Sequence, residues 1–333
     1  MNDKDSNTQT QTQTQTQTQT QEAKKGKKNY RPGLAAFKFA IDEDWSYTEA
    51  QEEYEKTAIN PLSNKILYTD SIKEMKNLPE ESIDLIIADP PFGIDFSGKE
   101  ALYNRDKSFV ADGYSEVKIE NYAQFTYDWM SELPRIMKES SSAYIFSGWT
   151  NLNDLLTAVE KIEELTLVNH IIWKYQFGVF TKKKFVSSHY HVLFLVKNPT
   201  KYYFNKITHY PQDVWDDISR KYKPGQKKNG TVLPLELVER CIDYSSKPGD
   251  LVFDPFMGNG TTAMAAKANF RHFHGFEINP AMKEIISSNI ELIDLGETTT
   301  KKGSYNERWS CEENFLKLKE RYPRAYQEYI KEK

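Results

Sequence analysis

"SIDLIIADPPFG", residues 82–93, decides the fold. Apolar side chains occupy both alternating sets of the run from Ile83 to Ala88, so neither face is polar. That pattern is typical of a parallel strand buried on both sides, which needs helices over each face. The run then stops at a carboxylate, Asp89, and two prolines, Pro90 and Pro91, which cannot donate to a ladder.

Working outward, "KILYT" (65–69) reads as a short strand, and "SIKEMKNL" as a helix capped by Asp70 or Ser71. "SAYIFS" (142–147), "LVNHIIW" (167–173), "HVLFLVK" (191–197), "DLVFD" (250–254) and "HFHGFE" (272–277) are further strands. Helical patterns separate most of them. The alternation predicts a doubly wound α/β sheet. No convincing helix lies between 167–173 and 191–197, so these two strands are expected to pair antiparallel.

In open α/β sheets, ligands bind outside the carboxyl ends of the strands. Four predicted strands end there in an acid: Asp70, Asp89, Asp254 and Glu277. One such acid is ordinary, because Asp is a common helix N-cap. Four in these local sequences point to a site. After Asp254 comes "PFMGNGTT", in which Gly258 and Gly260 let the backbone approach a ligand and Thr261 or Thr262 can cap the next helix. Glu277 follows Gly258 by 19 residues, an offset at which an acid can hold the two hydroxyls of a ribose. Ala263 stands where a dinucleotide fingerprint has its third glycine, and the Lys of a P-loop is absent. The loop therefore permits a nucleoside cofactor without requiring a pyrophosphate.

"DPPF", residues 89–92, has two readings when taken alone. One is a strand terminator with an incidental Phe. The other is a recognition device: a carboxylate and a proline carbonyl accept the hydrogens of an exocyclic amino group, and the Phe92 ring stacks on its heterocycle.

Bulk properties restrict the setting. The 333 residues suffice for one large α/β domain with appendages or for two small domains. Two distant cysteines, Cys241 and Cys311, make neither a disulfide framework nor a metal site, which suits a cytoplasmic protein, nucleoid-associated in a prokaryote. No stretch resembles a signal peptide, and no apolar run approaches the roughly 20 residues of a membrane span. Residues 8–21 are seven Thr-Gln pairs, followed by "EAKKGKK". With no apolar face to bury, residues 1–30 are expected to be a disordered tail ending in a basic linker.

The motifs together resemble those of the DNA amino-methyltransferases, which methylate N6 of adenine or N4 of cytosine with S-adenosyl-L-methionine. "DPPFG" (89–93) is similar to that family's catalytic motif and "FDPFMGNG" (253–260) to its cofactor loop. "IIWKY", "LPLELVERCIDYSSKPGD" and "FHGFEINP" look like further blocks, and the resemblance spans roughly residues 62–290. The catalytic motif precedes the cofactor loop by about 165 residues, a permuted order that resembles the β group. The resemblance implies a mostly parallel seven-stranded Rossmann-like sheet with one antiparallel strand. The methyltransferase domain is expected over 31–293, and residues 294–333, charged and helical in pattern, are expected to form a C-terminal extension. The resemblance places Asp254, Phe256, Gly258, Gly260 and Thr261 around the cofactor, with Glu277 on its ribose and Asp70 on its adenine. It gives Asp89, Pro90, Pro91 and Phe92 the target base, with Asp89 also near the sulfonium. Asn259 stands where the family often has Ser, and Leu233 where a Lys commonly precedes the proline.

Charge indicates where DNA lies. Residues 165–212 contain no Asp or Glu but seven lysines, and "RKYKPGQKK" begins at Arg220. A locally basic stretch in a chain of net charge −4 suits a polyanion. Lys174, Lys182, Lys183, Lys184, Arg220 and Lys221 are the candidate DNA contacts; the bland alternative is that "TKKKF" is a hairpin tip with solvated lysines. His189 and His191 share a strand face and are read as core or phosphate contacts, with no metal expected. Target recognition is expected in 198–232, and the loop 94–125 is expected to order over the DNA. The expected reaction is N6-adenine methylation of a flipped-out base in double-stranded DNA. N4-cytosine methylation, an RNA substrate and an inactive DNA-binding subunit are the alternatives. The resemblance also allows a homodimer and a cognate restriction enzyme as partners.

Overall fold

The structure, a computed structural model, describes residues 45, 47–92, 117–175, 182–207, 211–220, 232–298, 319–320 and 323–332. The Thr-Gln tail, Gly93, most of the 94–125 loop and Lys221 lie outside the described residues. Chain contacts divide the protein into two units, Glu43–Cys311 and a smaller one formed by the two chain ends. The smaller one contains a helix over Pro323–Glu332.

The larger unit is built on one sheet. Its strands are β1 (Lys65–Leu67), β2 (Ile83–Ala88), β3 (Met137–Ser147), β4 (Thr166–Lys174), β5 (His189–Val196), β6 (Val214–Trp215), β7 (Leu251–Asp254) and β8 (His272–Phe276). Their order is β1-β8-β7-β2-β3-β5-β4-β6. β5 is antiparallel to both β3 and β4, and the remaining pairs are parallel. The expected lone antiparallel strand is thus β5. The sheet has eight strands rather than the expected seven because the two-residue β6 adds to the β4 edge. So short a strand leaves no periodicity in the sequence to read.

β2 is central, and its apolar residues are almost wholly buried. Each such Ile or Leu contributes roughly 1.5–3 kcal/mol through burial. One face of the sheet carries Leu85, Ile87, Val252 and Phe273 against α6 (Leu235–Ser245), α7 (Thr261–Ala268) and α8 (Lys283–Glu291). The other carries Ile83, Ile86, Phe253 and Phe276 against α2 (Ser71–Met75), α3 (Tyr122–Met130), α4 (Leu133–Ile136) and α5 (Leu152–Lys161). The remaining helix, α1 (Tyr47–Thr57), precedes β1 and is tied to β8 where Thr57 Oγ1 lies 3.1 Å from His272 Nε2. The small side chains of α7 (Ala263, Ala265, Ala266 and Ala268) are all buried, which lets the helix lie close to the sheet.

β3 begins five residues before the expected strand. Its first half, "MKESS", is too polar to read as a strand. Those residues find specific partners instead: Lys138 Nζ donates to Asp84 at 2.7 Å, and the buried Ser141 hydroxyl donates to the Ile83 carbonyl. β4 and β5 form the antiparallel pair expected from the missing helix.

Candidate active site

The order β1-β8-β7-β2 puts the four strand-end acids in one row. Asp70 follows β1, Glu277 follows β8, Asp254 ends β7 and Asp89 follows β2. All four strands are parallel, so the acids share the carboxyl edge of the sheet. From β2 the chain moves outward to β3, and from β7 it moves the opposite way to β8. The connections diverge between β2 and β7, where open sheets hold their ligands.

The glycine-rich loop is tied into this edge. The Asp254 carboxylate accepts from the Phe256 N–H at 2.8 Å and from the Thr262 hydroxyl at 2.6 Å. Glu277 accepts from the Gly258 N–H at 2.8 Å through one oxygen and from the Asn279 N–H at 2.8 Å through the other. Gly258 and Gly260 have φ of 54° and 82°, a left-handed conformation that side-chain-bearing residues avoid. The expected threonine cap is corrected here. Gly260 occupies the N-cap of α7, Thr261 is the first helical residue, and Thr262 is diverted to Asp254. The loop reaches α7 through a left-handed turn that leaves no extended residue for a side-chain cap. A Cβ built on Gly258 meets only the Phe256 carbonyl oxygen, at 3.7 Å, so the backbone there faces open space.

Asp70 is the N-cap of α2, accepting from the Lys73 N–H at 3.1 Å, and it is exposed. Its capping role is the one the sequence suggests, and one carboxylate oxygen remains for another partner. Ser71, the other cap candidate, is the first residue of α2 and not its cap. Its hydroxyl donates to the Pro255 carbonyl at 2.6 Å and fixes α2 to the glycine-rich loop. The Phe256 ring packs against Trp129 and Phe125 of α3, with centroids at 5.3 and 5.9 Å.

Asp89 differs from its neighbours. Its Oδ1 is buried and has no hydrogen-bond partner among the described residues. Burial pushes its carboxyl up to about 7; the Asp254 charge adds to this, and Arg220 opposes it. Burial also raises Asp254 to about 7, against the Thr262 and Phe256 bonds, with the Glu277 charge adding. Burial raises Glu277 as well, opposed by the N–H groups of Asn279, Gly258 and Ile278. The edge therefore holds three carboxyl groups whose burial disfavours the charged form.

An aromatic wall stands beside Asp89. Phe92 meets Tyr190 edge-on at 6.1 Å and lies over Gly148, where a Cβ would be 3.5 Å from its ring. Tyr190 in turn neighbours Trp173 at 6.1 Å and Tyr175 at 6.5 Å. The sequence reading missed these three residues. The signal was present in β5, "HYHVLFLV", whose alternation puts Tyr190 on the face opposite His189 and His191.

The candidate DNA contacts fall in two groups. Lys174, at the end of β4, and Lys182, Lys183 and Lys184, in the β4–β5 connection, are exposed. Arg220 is only partly exposed. The Trp173 indole donates to the Ile218 carbonyl at 3.0 Å and holds this segment to β4, and the Arg220 guanidinium lies 5.2 Å over the Tyr175 ring. Its charge reaches Asp89, so it lies by the DPPF segment rather than out among the lysines. The His pair proves to be part of a trio: His170 Nε2 lies 2.8 Å from His191 Nδ1, and His189 meets His191 edge-on. Among the described residues no three His, Cys, Asp or Glu side chains are grouped to hold a metal ion.

The family model described as DNA methylase, covering N6 and N4 enzymes, matches residues 83–288. The match contains β2 and its DPPF end, the aromatic wall, the glycine-rich loop and Glu277. The chain belongs to this DNA methylase family. The methylase is 33% identical over 240 residues to the type II methyltransferase M.HinfI of Haemophilus influenzae, covering 67% of each chain. It is 30% identical over 271 residues to the DNA adenine methyltransferase YhdJ of Escherichia coli K12, covering 72% of this chain and 86% of the relative. Among solved structures, the M1.HpyAVI–SAM complex shares the fold with a TM-score of 0.51 at 20% identity. That alignment covers 68% of this methylase and 98% of the other chain. No helix among the described residues is long and apolar enough to cross a membrane.

Proposed function

We propose that the methylase transfers a methyl group from S-adenosyl-L-methionine to N6 of adenine in double-stranded DNA, with the target base flipped out to the DPPF motif. The observation that carries this is Asp89: a buried carboxyl oxygen without a partner, beside a stacking ring, one strand away from a glycine-rich loop. Asp at the head of the motif favours adenine over cytosine, and the relative YhdJ is named an adenine methyltransferase.

The residues fit the cofactor. Asp89, Asp254 and Glu277 form an anionic edge that a cation compensates, and the open backbone at Gly258 leaves room beside it. Glu277 accepts the ribose hydroxyls, Asp70 reaches the adenine amino group, and Phe256 with Gly258, Gly260 and Thr261 surrounds the methionine end. Bound there, S-adenosyl-L-methionine supplies an electrophilic methyl group on a positively charged sulfur.

The target's exocyclic nitrogen is a weak nucleophile because its lone pair is conjugated with the ring. The Asp89 carboxylate and the Pro90 carbonyl accept its hydrogens, which favours the pyramidal nitrogen and localises the lone pair. Pro91 keeps the turn rigid, and Phe92 stacks on the base and sets the direction of attack. Orientation and fixed dipoles thus account for the protein's contribution. The base leaves the helix to reach this edge, because its amino group is inaccessible within a duplex. The test is transfer of labelled methyl groups to duplex DNA and, in parallel, to RNA. Label in the RNA alone would reject DNA as the substrate.

Cofactor affinity should depend on pH with a definite sign. A bound sulfonium favours the ionised forms of Asp89 and Asp254, which lie near 7 in the free protein. Affinity is then highest above about pH 7 and falls as the pH drops below it. S-adenosylhomocysteine, whose sulfur is neutral, should show a much flatter profile. Calorimetric titrations of both ligands between pH 5 and 8, on the order of one unit apart, compare the two. Parallel profiles would remove the carboxylates from the sulfonium site.

Replacing Lys182, Lys183 and Lys184 by alanine should weaken DNA binding across all sequences. Each lost phosphate contact should reduce the log–log salt slope by about 0.9. An unchanged slope would put these lysines away from the DNA.

A further inference from the structure

Flipping a base leaves a gap in the duplex as well as a base to be held. Phe92 is committed to the second task, since it is wedged between Gly148 and Tyr190. The first needs an apolar group that projects from the protein beside the pocket. Phe185 is such a group: it is 98% exposed and follows directly on Lys182, Lys183 and Lys184.

Its position is set by the aromatic wall. The Tyr175 N–H donates to the Ser188 carbonyl at 2.9 Å, which closes the base of the β4–β5 connection next to Tyr190. Phe185 stands three residues before Ser188, so at most about 10 Å of extended chain separates it from the wall. The three exposed lysines beside it carry charges suited to the two phosphate chains that border a groove. No acid lies between residues 165 and 212 to oppose their approach. Apolar side chains, Phe among them, enter base stacks from such cationic surroundings in proteins that distort DNA.

We propose that Phe185 is the wedge that enters the duplex and fills the space left by the extruded base. This inference rests on the methyl-transfer reading above. It makes Phe185 a positioning residue: it lowers the cost of base extrusion and leaves the Asp89 chemistry untouched.

The experiment compares wild type, Phe185→Ala, Phe185→Leu and Trp149→Ala in single-turnover methyl transfer, with enzyme and S-adenosyl-L-methionine saturating. Trp149, which follows the Gly148 that Phe92 lies over, is also exposed, at 67%, and has no lysine beside it in sequence. The substrate is a synthetic duplex carrying a site that the wild-type protein methylates in genomic DNA. A second duplex has an abasic position opposite the target, so that no base pair resists extrusion. Phe185→Ala should slow transfer on the paired duplex by about 10- to 100-fold, and should run near the wild-type rate on the abasic one. Phe185→Leu, which keeps an apolar wedge, should stay close to wild type on both.

Three results would overturn the wedge: a normal rate for Phe185→Ala on the paired duplex, an equal loss on both duplexes, or a loss rescued by the abasic position in Trp149→Ala alone. A wild-type protein that methylates no duplex DNA is a different outcome, and it overturns the underlying reading as well.

Discussion

Asp89→Ala should reduce the single-turnover rate of methyl transfer by a factor on the order of 10² to 10³ or more, while DNA binding survives. In the proposed mechanism the carboxylate works mainly in the transition state, when the amino nitrogen pyramidalises and its hydrogens need acceptors. In the proposed arrangement the DNA phosphates are held elsewhere, by groups such as the exposed lysines. S-adenosyl-L-methionine affinity should drop more modestly, because Asp254 and Glu277 remain. Asp89→Asn is the control for folding, since it keeps the shape and removes the charge. The folded carboxyl lies near 7, above its ordinary value, so wild-type stability falls as the pH rises from about 4 towards 7. Asp89→Asn should therefore melt above wild type at about pH 8, and the gap should narrow as the pH falls and close near about pH 4. Rapid methyl transfer by a well-folded Asp89→Ala protein would reduce Asp89 to a strand terminator.

The second large effect is expected at Glu277. Glu277→Ala should weaken S-adenosyl-L-methionine binding by about 1.5–3 kcal/mol, because the ribose hydroxyls lose a charged acceptor. That corresponds to roughly 10- to 150-fold in Kd. The structure adds a reason that the sequence did not contain. Glu277 also accepts from the Gly258 N–H, so its loss releases the glycine-rich loop from the end of β8. Glu277→Gln retains an acceptor oxygen and should fall between the two. Wild-type affinity for Glu277→Ala in a calorimetric titration would contradict the ribose assignment.

The frame of the fold was legible because β2 and β7 are apolar on both faces and end in acids. A doubly buried strand admits few alternatives, and its carboxyl end is where chemistry can be placed. The row of four acids could be guessed residue by residue, but their adjacency depends on strand order. Only the order β1-β8-β7-β2 puts Asp89 within electrostatic reach of Asp254. The start of β3 was not legible, because its polar residues are satisfied by partners distant in sequence, such as Asp84. The aromatic wall was missed for a related reason. Tyr175 and Tyr190 look like ordinary strand aromatics until the β4–β5 hairpin brings them together beside Phe92. Arg220 read as one more basic residue in a run of positive charge. The Trp173–Ile218 bond, which no sequence pattern announces, holds its segment against β4 at the catalytic motif. The threonine cap failed on backbone geometry: the left-handed Gly260 leaves no room for it, and Thr262 serves Asp254 instead.

The central claim is the identity of the acceptor atom, and one measurement addresses it directly. The full-length protein is incubated with methyl-labelled S-adenosyl-L-methionine and duplex DNA, and the DNA is digested to nucleosides and separated. The account predicts label in N6-methyl-2′-deoxyadenosine, strongly reduced at equal time when Asp89→Ala replaces the wild type. Label in N4-methyl-2′-deoxycytidine, or none in any nucleoside, would contradict it.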